Sequence, residues 1–429
     1  MARILYVQHN PEVSGSTLSL LYLLEQLDPA RYEPTVLFHT GDGPGVDLFR
    51  RRGVPTVVRD DISFYAHSEA AHFTVRSERP WRPITELLRI WPSALRMRAY
   101  LGSHRFDLVH LNSSFQAPAA LGARLAGVPI VWHVRERLWG GLLGVRLSLL
   151  RYVIDVCADR VIAISGYQAE GLRPSERISI IPNFVDFRHF DRSISPDGVR
   201  AEFGLSDHAP VVGMLGGSLP HKGALTLVDA AAVLRQEFPH LRVLIIGCRP
   251  RALSPSRYRR LGRRVVEGVL AVEHYGERVE RLVRELGLDA TVTLVGVRTD
   301  VPALLAALDV LVFPATAPHF ARPVVEAGAM AKPVIATGIG GAGEFVQDGV
   351  TGYLVPQGDP ERLAGALRQL LADPPLARSM GEAGYAQARE KFDAGRNAAR
   401  IAGVYEEILS ASAAAPGRRL ARRLARAGR

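Results

Sequence analysis

The sequence predicts an α/β protein with two Rossmann-like, doubly wound domains that face each other across a cleft. Short apolar runs rich in β-branched residues alternate with helical patterns along nearly the whole chain, which is typical of parallel sheets covered by helices. The alternation breaks over residues 182–197 and then restarts. A chain of 429 residues, 47% of them apolar, is long enough for two domains with separate cores.

The first series of strands lies in the amino-terminal half of the chain. Its runs are residues 3–7, 35–38, 108–111, 130–134 and 161–164. Helical patterns lie between them, for example at 18–27 and 117–126. Because the runs are mostly apolar instead of alternating, they indicate strands buried on both faces. They define a predicted Rossmann-like domain over residues 1–190.

The second series follows a linker predicted at residues 191–209. Its strands are expected at residues 211–215, 243–246, 292–295, 310–313 and 334–336, separated by helices near 225–236, 277–286 and 323–330. This series predicts a second Rossmann-like domain over 210–385, a closing helix over 386–410 and a basic tail over 411–429. Parallel sheets of this kind bind ligands, often nucleotides, at the carboxyl ends of their strands.

The basic charge of the chain is concentrated in two windows. The formal net charge is +10, and residues 249–264 and 411–429 contain seven and six Arg with no acidic residue. Without these 13 Arg the remainder carries −3, so nucleic acid is not expected as a partner. Two interpretations of the 411–429 tail remain open: a helix lying on an anionic membrane surface, or a disordered basic tail.

Composition also limits the compartment of the protein. Cys157 and Cys248 are the only cysteines, which excludes a disulfide framework and a Cys-rich zinc module. The chain has no signal-peptide core and no apolar run of about 20 residues. We therefore expect a cytoplasmic protein, with the tail as a possible peripheral contact to the inner face of the membrane.

The strongest local motif is the glycine-rich segment 213–223 between a predicted strand and a predicted helix. Glycines at 216 and 217 let backbone amides approach a phosphate, and Lys222 adds a full charge beside the helix start. Only three of the 53 basic residues are Lys, so a lysine here departs from the background. The alternative interpretation is a glycine-rich turn with a solvated lysine.

A second motif spans residues 319–327. Pro323 suits the first turn of a helix, so the amides around it can face an anion. Glu326 follows one turn later, where a carboxylate can accept hydrogen bonds from the vicinal hydroxyls of a ribose. Alternatively, Glu326 only complements the helix dipole.

Taken together, residues 211–371 resemble the nucleotide-sugar domain of family-4 retaining glycosyltransferases, which have the B-type fold of two Rossmann domains. The matching segments occur in family order: the loop ending at 222–223, then 243–247, 295–301, 309–314, 320–327, 333–336, 340–344 and 348–355. The amino-terminal half matches more loosely, at 15–16, 107–110, 133, 158–165 and 180–186.

The resemblance implies a nucleotide-sugar-dependent, retaining transfer to a hydroxyl of a glycan or a lipid-linked, membrane-proximal acceptor. No metal or other cofactor is expected, because no Asp-x-Asp stands at a strand end to hold a cation. It assigns Lys222 to the donor diphosphate and Glu326 to the ribose. It assigns the amides of Phe320, Ala321 and Arg322 to the phosphates. Gly15 and His133 are assigned to the transferred sugar, and Lys222, Arg322 and His133 form the expected catalytic set.

Two positions depart from the family pattern. Gly216 and Gly217 stand where the family usually has an Arg, and Pro318 stands where it usually has a first Glu. Arg322 is expected to replace the missing Arg. The alternatives are a nucleotide-sugar epimerase on the same fold, for which no acid–base group is identifiable, and a non-catalytic sugar-nucleotide-binding protein.

Overall fold

The computed structural model describes residues 1–65, 82–138, 144–248, 275–318 and 320–413. The chain forms two compact units, Met1–Asp186 with the chain from Lys391 onward, and Phe187–Glu390. The whole basic window 249–264 and residues 414–429 of the tail lie outside the described residues. Residues 191–209, predicted as a linker, lie within the second unit, and residues 391–413 of the predicted carboxyl-terminal region belong to the first.

The first unit is built on a parallel sheet of seven strands in the described chain. The strands are β1 (Ala2–Gln8), β2 (Tyr32–Phe38), β3 (Thr56–Val58), β4 (Leu108–Leu111), β5 (Ile130–Val134), β6 (Arg160–Ala163) and β7 (Ile178–Ile180). Their order is β3-β2-β1-β4-β5-β6-β7. The order reverses between β1 and β4, and such a switch point leaves a ligand-binding crevice at the carboxyl ends of the strands.

Helices cover both faces of this sheet. They are α1 (Gly15–Gln26), α2 (Pro44–Arg51), α3 (Arg82–Ser103), α4 (Ala117–Ala126), α5 (Val145–Cys157) and the short α6 (Gly166–Ala169). The apolar residues of α4 and α5 pack in one core with Trp132, and those of α1 pack in a second core with Tyr6. Within the described residues, no helix is long and apolar enough to cross a membrane.

The second unit repeats this architecture with a parallel sheet of six strands in its described part. They are β8 (Val211–Leu215), β9 (Arg242–Ile246), β10 (Val292–Val295), β11 (Val310–Phe313), β12 (Val334–Thr337) and β13 (Gly352–Val355). Their order is β10-β9-β8-β11-β12-β13, which reverses between β8 and β11. The predicted class of two doubly wound, Rossmann-like folds is confirmed.

The helices of the second unit lead back to the first. They are α7 (Asp197–Glu202), α8 (Ala224–Leu234), α9 (Tyr275–Glu285), α10 (Val301–Ala307), α11 (Arg322–Ala329), α12 (Ala342–Phe345), α13 (Pro360–Ala372) and α14 (Pro374–Lys391). The next helix, α15 (Ala394–Ala413), buries Ile401 and Tyr405 in the same core as α1 and Tyr6. The last described helix is therefore a structural part of the first unit.

Candidate functional site

The loop after β8 places Lys222 at the carboxyl edge of the sheet of the second unit. β8 ends at Leu215, residues 220–222 form a short 3-10 turn, and α8 begins at Ala224. The lysine therefore stands immediately before the amino terminus of a helix of 11 residues. A cation beside the positive dipole end of a helix is an arrangement that favours an anion. In this structure the Leu225 amide at that helix end donates to the Tyr275 hydroxyl at 3.4 Å.

Two glycines allow this loop to pack against the ends of neighbouring strands. A Cβ on Gly217, which has φ +73°, would lie 2.2 Å from the carbonyl oxygen of Gly247, just beyond β9. A Cβ on Gly223, with φ +78°, would lie 1.8 Å from the carbonyl oxygen of Pro314, just beyond β11. Both distances are impossible for a side chain, so glycine is required at each position.

The amides of Gly216 and Gly217 are engaged by the protein. Both donate to the carbonyl oxygen of Ile246, at 3.0 and 2.8 Å. These two amides are therefore occupied within the protein, and the glycines shape the loop. The assignment of Gly216 and Gly217 to phosphate binding stays a prediction. A Cβ on Gly216 would lie 3.2 Å from Cε of Lys222, so glycine at this position leaves room for the lysine side chain.

Lys222 is itself in an unusual electrostatic environment. Its side chain is partly buried, and its ammonium lies 5.9 Å from the centroid of the Phe313 ring. Burial lowers the pKa of Lys222 from 10.5 to about 8, because desolvation disfavours the charged form. A bound phosphate would supply a counter-charge for this desolvated ammonium.

The loop after β11 is tied to the lysine turn. The Thr316 amide donates to the carbonyl oxygen of His221 at 3.0 Å, and its hydroxyl donates to that of Pro220 at 2.8 Å. The Gln357 side chain in turn donates to the Thr316 carbonyl at 3.0 Å. Since β8 and β11 are neighbours at the switch point, these bonds fix the lysine turn and the loop leading to α11 relative to each other.

The structure pairs Arg322 with Glu326, which the sequence assigned to different parts of the donor. Nε of Arg322 donates to Oε1 of Glu326 at 2.5 Å, and the side chains are only 17% and 11% exposed. The carboxylate one turn into α11 therefore offsets the charge of the guanidinium. The expectation that Arg322 replaces the missing Arg stays a prediction, and the structure adds that the guanidinium is paired with the Glu326 carboxylate.

The backbone before α11 is held by apolar contacts. The Phe320 ring packs edge-on against Phe345, with ring centroids 5.1 Å apart, and Ala321 is fully buried as the residue that caps the helix. These contacts fix the position of the backbone whose amides the resemblance assigns to the phosphates. His319, the first residue of the motif, lies outside the described residues.

In the first unit, Gly15 lies beyond the end of β1 as the exposed first residue of α1. The loop around it is bound to the end of β4 by Asn112. The side-chain nitrogen Nδ2 of Asn112 donates to Oε1 of Gln8 at 2.8 Å and to the carbonyl oxygen of Ser16 at 3.2 Å. The two strands on either side of the switch point are therefore joined by a polar contact at their carboxyl ends.

His133 lies in β5, where it is 1% exposed. Its Nδ1 lies 3.2 Å from Nε2 of His110 and 3.4 Å from Nη2 of Arg135. Burial, assisted by the charge of Arg135, lowers the pKa of His133 well below 6.5 and that of His110 to about 3. Both imidazoles are therefore neutral near pH 7, which suits a hydrogen-bonding role and not that of a protonated acid.

Arg135 is the site residue that the sequence analysis missed. Its Nε donates to Oδ1 of Asn112 at 2.9 Å and its Nη1 donates to Oδ1 of Asn183, while the whole residue is 5% exposed. A signal was available, because Arg135 and Asn112 each directly follow a buried strand. Polar side chains at that position of a parallel sheet point to its ligand-binding edge.

Metal-ligating side chains are dispersed in the described part of the chain. No group of three His, Cys, Asp or Glu residues is placed there to hold a metal ion. Cys157 and Cys248 are both free thiols.

Both halves of the chain match known protein families. Residues 13–189 match Glycosyltransferase Family 4, and residues 198–387 match Glycosyl transferases group 1. The chain is also 31% identical over 362 residues to the GDP-mannose-dependent alpha-(1-6)-phosphatidylinositol monomannoside mannosyltransferase of Mycolicibacterium smegmatis, covering 79% of this chain and 84% of the relative. The chain belongs to the family-4 glycosyltransferases.

Further similarities agree with this assignment of the glycosyltransferase. The chain is 28% identical to the D-inositol 3-phosphate glycosyltransferase of Thermobispora bispora, over 76% of each chain. The solved structure of Anabaena Alr3699/HepE in complex with UDP matches with a TM-score of 0.75 at 23% identity, over 94% of this chain and 100% of that one. The predicted B-type fold and the predicted enzyme class, a nucleotide-sugar-dependent glycosyltransferase, are confirmed.

Proposed function

We propose that this glycosyltransferase moves a hexose, with retention of configuration, from a nucleoside-diphosphate sugar to a hydroxyl of a membrane-proximal acceptor. The observation that carries the proposal is the partly buried Lys222, held before α8 by glycines that admit no side chain. The names of the GDP-mannose-dependent relative and of HepE in complex with UDP support a diphosphate donor.

In the proposed front-face reaction, the bond between the anomeric carbon and the diphosphate oxygen breaks. The acceptor oxygen bonds to the same face, and its proton passes to the leaving phosphate. Negative charge grows on the diphosphate, so preorganised positive charge and N–H groups lower the barrier. Lys222 supplies the charge and the amides of residues 320–322 supply the hydrogen bonds. Glu326 binds the ribose, whereas Gly15 and His133 contact the transferred sugar.

The acceptor is proposed to be a glycan or a lipid-linked molecule at an anionic membrane surface. The Mycolicibacterium smegmatis relative is named for a phosphatidylinositol monomannoside acceptor, which supports a lipid. In this chain α3 exposes Leu88, Trp91 and Leu95, at 72%, 60% and 53%, beside the exposed Arg89 and Arg96. An apolar stripe flanked by Arg is the surface chemistry that suits contact with an anionic lipid.

The function is tested by screening nucleotide sugars for thermal stabilisation, beginning with GDP-mannose and UDP-glucose. A ligand at 100 times its dissociation constant stabilises the folded state by about 2.7 kcal/mol. Release of the nucleoside diphosphate and the anomeric configuration of the product are then measured with a lipid-linked acceptor. An inverted product contradicts retention. An epimerised donor supports the epimerase alternative, and binding without turnover of any donor tested contradicts the proposed transfer.

We expect full activity in excess EDTA. Lys222 and the amide groups at the helix starts supply the positive potential that a divalent cation would otherwise give to the diphosphate. The measurement compares initial rates with EDTA and with added magnesium or manganese. Activity that is lost in EDTA and restored by either metal contradicts this expectation.

Removing residues 414–429 should abolish salt-sensitive binding to anionic vesicles. The truncation leaves α15 intact, because that helix ends at Ala413. The six Arg of the tail attract an anionic surface with about 1 kcal/mol each, and salt screens this attraction. Co-sedimentation at low and high salt measures the binding, and a variant with these six Arg replaced by Gln keeps the length. Equal pelleting of full-length and truncated chains excludes the tail as the contact.

A further inference from the structure

A buried hydrogen-bond network runs through the first unit from its last helix to His133. The Tyr405 hydroxyl lies 2.7 Å from Nδ1 of His110, and Nε2 of His110 lies 3.2 Å from Nδ1 of His133. Nη2 of Arg135 lies 3.4 Å from the same His133 nitrogen. None of these residues is more than 5% exposed. The three contacts therefore lie out of reach of bulk water.

The direction of every hydrogen bond in this network follows from Arg135. A guanidinium can only donate, so Nδ1 of His133 must be an acceptor, and the single proton of this neutral imidazole is on Nε2. His110 must then donate from its own Nε2, which leaves its Nδ1 as an acceptor. The only donor that meets Nδ1 in these contacts is the hydroxyl of Tyr405.

This arrangement leaves His133 with an N–H group at Nε2, the ring nitrogen that takes no part in the network. Among the described residues, Nε2 of His133 is buried and has no hydrogen-bond partner. A buried donor without an acceptor destabilises the structure, and a functional site is where such a group is tolerated. Since the group can only donate, its partner in the loaded enzyme must be a hydrogen-bond acceptor, for which a sugar oxygen is suited.

We propose that Arg135, His110 and Tyr405 are positioning residues that hold the proton of His133 on Nε2, so that His133 donates a hydrogen bond to an oxygen of the transferred sugar. The choice of a sugar oxygen rests on the proposed function. The tautomer does not, because it follows from the contacts alone. Tyr405 stands 295 positions after His110, so the helix that follows the second unit completes the histidine site of the first.

The tautomer is tested by nitrogen NMR on the full-length protein with 15N-labelled histidine, between pH 6 and 8. His133 and His110 should both be neutral and protonated at Nε2, with resonances assigned by His133→Gln and His110→Gln variants. A proton on Nδ1 of either ring overturns the proposed direction. In Tyr405→Phe, the resonance of Nδ1 of His110 should move toward that of an imidazole nitrogen without a hydrogen bond.

The functional part is tested by turnover of GDP-mannose and UDP-glucose. Tyr405→Phe should lower kcat about fivefold, because it removes one hydrogen bond from His110, which in turn orients His133. Its affinity for the free nucleoside diphosphate should be unchanged, because that ligand lacks the sugar. The control is Tyr32→Phe, which removes a hydroxyl bonded to Glu406 at 3.3 Å beside the same helix.

An unchanged kcat in Tyr405→Phe, or an equal loss in Tyr32→Phe, overturns the positioning role. Failure of the proposed function gives a different result: the wild type turns over neither donor, while the NMR spectrum still reports the Nε2 tautomer. The two failures are therefore distinguishable.

Discussion

Replacing Lys222 by Ala should lower kcat on the order of 10² to 10³-fold, because a preorganised contact to the leaving diphosphate contributes roughly 3–4 kcal/mol to transition-state stabilisation. The charge has to be present while the leaving group gains charge, so the loss should persist at saturating donor. Lys222→Met should lose as much activity as the alanine variant, although it keeps the length of the side chain that packs over Gly216.

The stability of the free enzyme should change in the opposite direction. The lowered pKa of Lys222 shows that burial disfavours its ammonium, so an uncharged side chain of similar length relieves a destabilising contribution. We therefore expect an equal or higher Tm for Lys222→Met without donor, together with the loss of turnover. A parallel fall in Tm and kcat indicates misfolding and contradicts this explanation.

The ionisation of Lys222 should make the affinity for a nucleoside diphosphate depend on pH. With a pKa of about 8 in the free enzyme, Lys222 loses its charge as the pH rises through this value. The affinity of the wild type for a nucleoside diphosphate should consequently fall above about pH 8, since binding then requires uptake of a proton. Lys222→Met should lack this decrease and bind weakly throughout.

Lys332 provides the matched control. It is a second partly buried lysine in the same unit, its pKa is also lowered by burial, and its Nζ donates to the carbonyl oxygen of Ala306 at 2.8 Å. Lys332 precedes β12, whereas Lys222 follows β8. In this parallel sheet Lys332 therefore lies at the amino ends of the strands and Lys222 at their carboxyl ends. Lys332→Met should leave kcat unchanged. Equal turnover of Lys222→Met and wild type removes Lys222 from the mechanism.

The central strands were predictable because they are buried on both faces and therefore mostly apolar. The predicted runs at 108–111, 130–134, 211–215 and 310–313 coincide with central strands, and the run at 292–295 coincides with the edge strand β10. The sequence pattern did not predict β3, β7 and β13, which each have three or four residues and lie at the edges of the two sheets. Partial exposure and shortness weaken the apolar pattern on which the prediction depends, whereas the edge strand β10 was still identified because three of its four residues are apolar.

The candidate site was predictable where its signal is local. Lys222 and its glycines lie within one loop of the sequence, and a lysine is rare in this chain. The contact between Tyr405 and His110 joins residues 295 positions apart, and only the return of α15 to the first unit brings them together. The pairing of Arg322 with Glu326 was visible as an i,i+4 spacing, but the family resemblance assigns the two residues to different parts of the donor.

Variants of the ion pair of Arg322 and Glu326 should distinguish binding of the ribose from binding of the diphosphate. Glu326→Gln removes the carboxylate proposed to bind the ribose, so affinity for a nucleoside diphosphate should fall about tenfold, the loss of one charged hydrogen bond. The same change leaves Arg322 without its counter-charge. Affinity for inorganic pyrophosphate, which lacks the ribose, should therefore be unchanged or higher.

Arg322→Lys should weaken the binding of both ligands. One ammonium cannot make the several directed hydrogen bonds of a guanidinium while also pairing with Glu326. Arg322→Ala adds a loss of stability, because it leaves a mostly buried carboxylate without a partner. Titration calorimetry with a nucleoside diphosphate and with pyrophosphate measures the affinities, and thermal unfolding identifies variants whose fold is weakened.

The control for both variants is Glu237→Gln, which removes the carboxylate of the pair that Glu237 forms with Arg368 at 2.6 Å. That pair lies in the same unit but is exposed to solvent, so its loss should change neither affinity nor Tm measurably. If Glu326→Gln weakens pyrophosphate and nucleoside diphosphate equally, Glu326 acts by orienting Arg322 and not by binding the ribose. If Arg322→Lys binds both ligands as the wild type does, the guanidinium only neutralises Glu326, and the diphosphate is held by Lys222 and the helix amides alone.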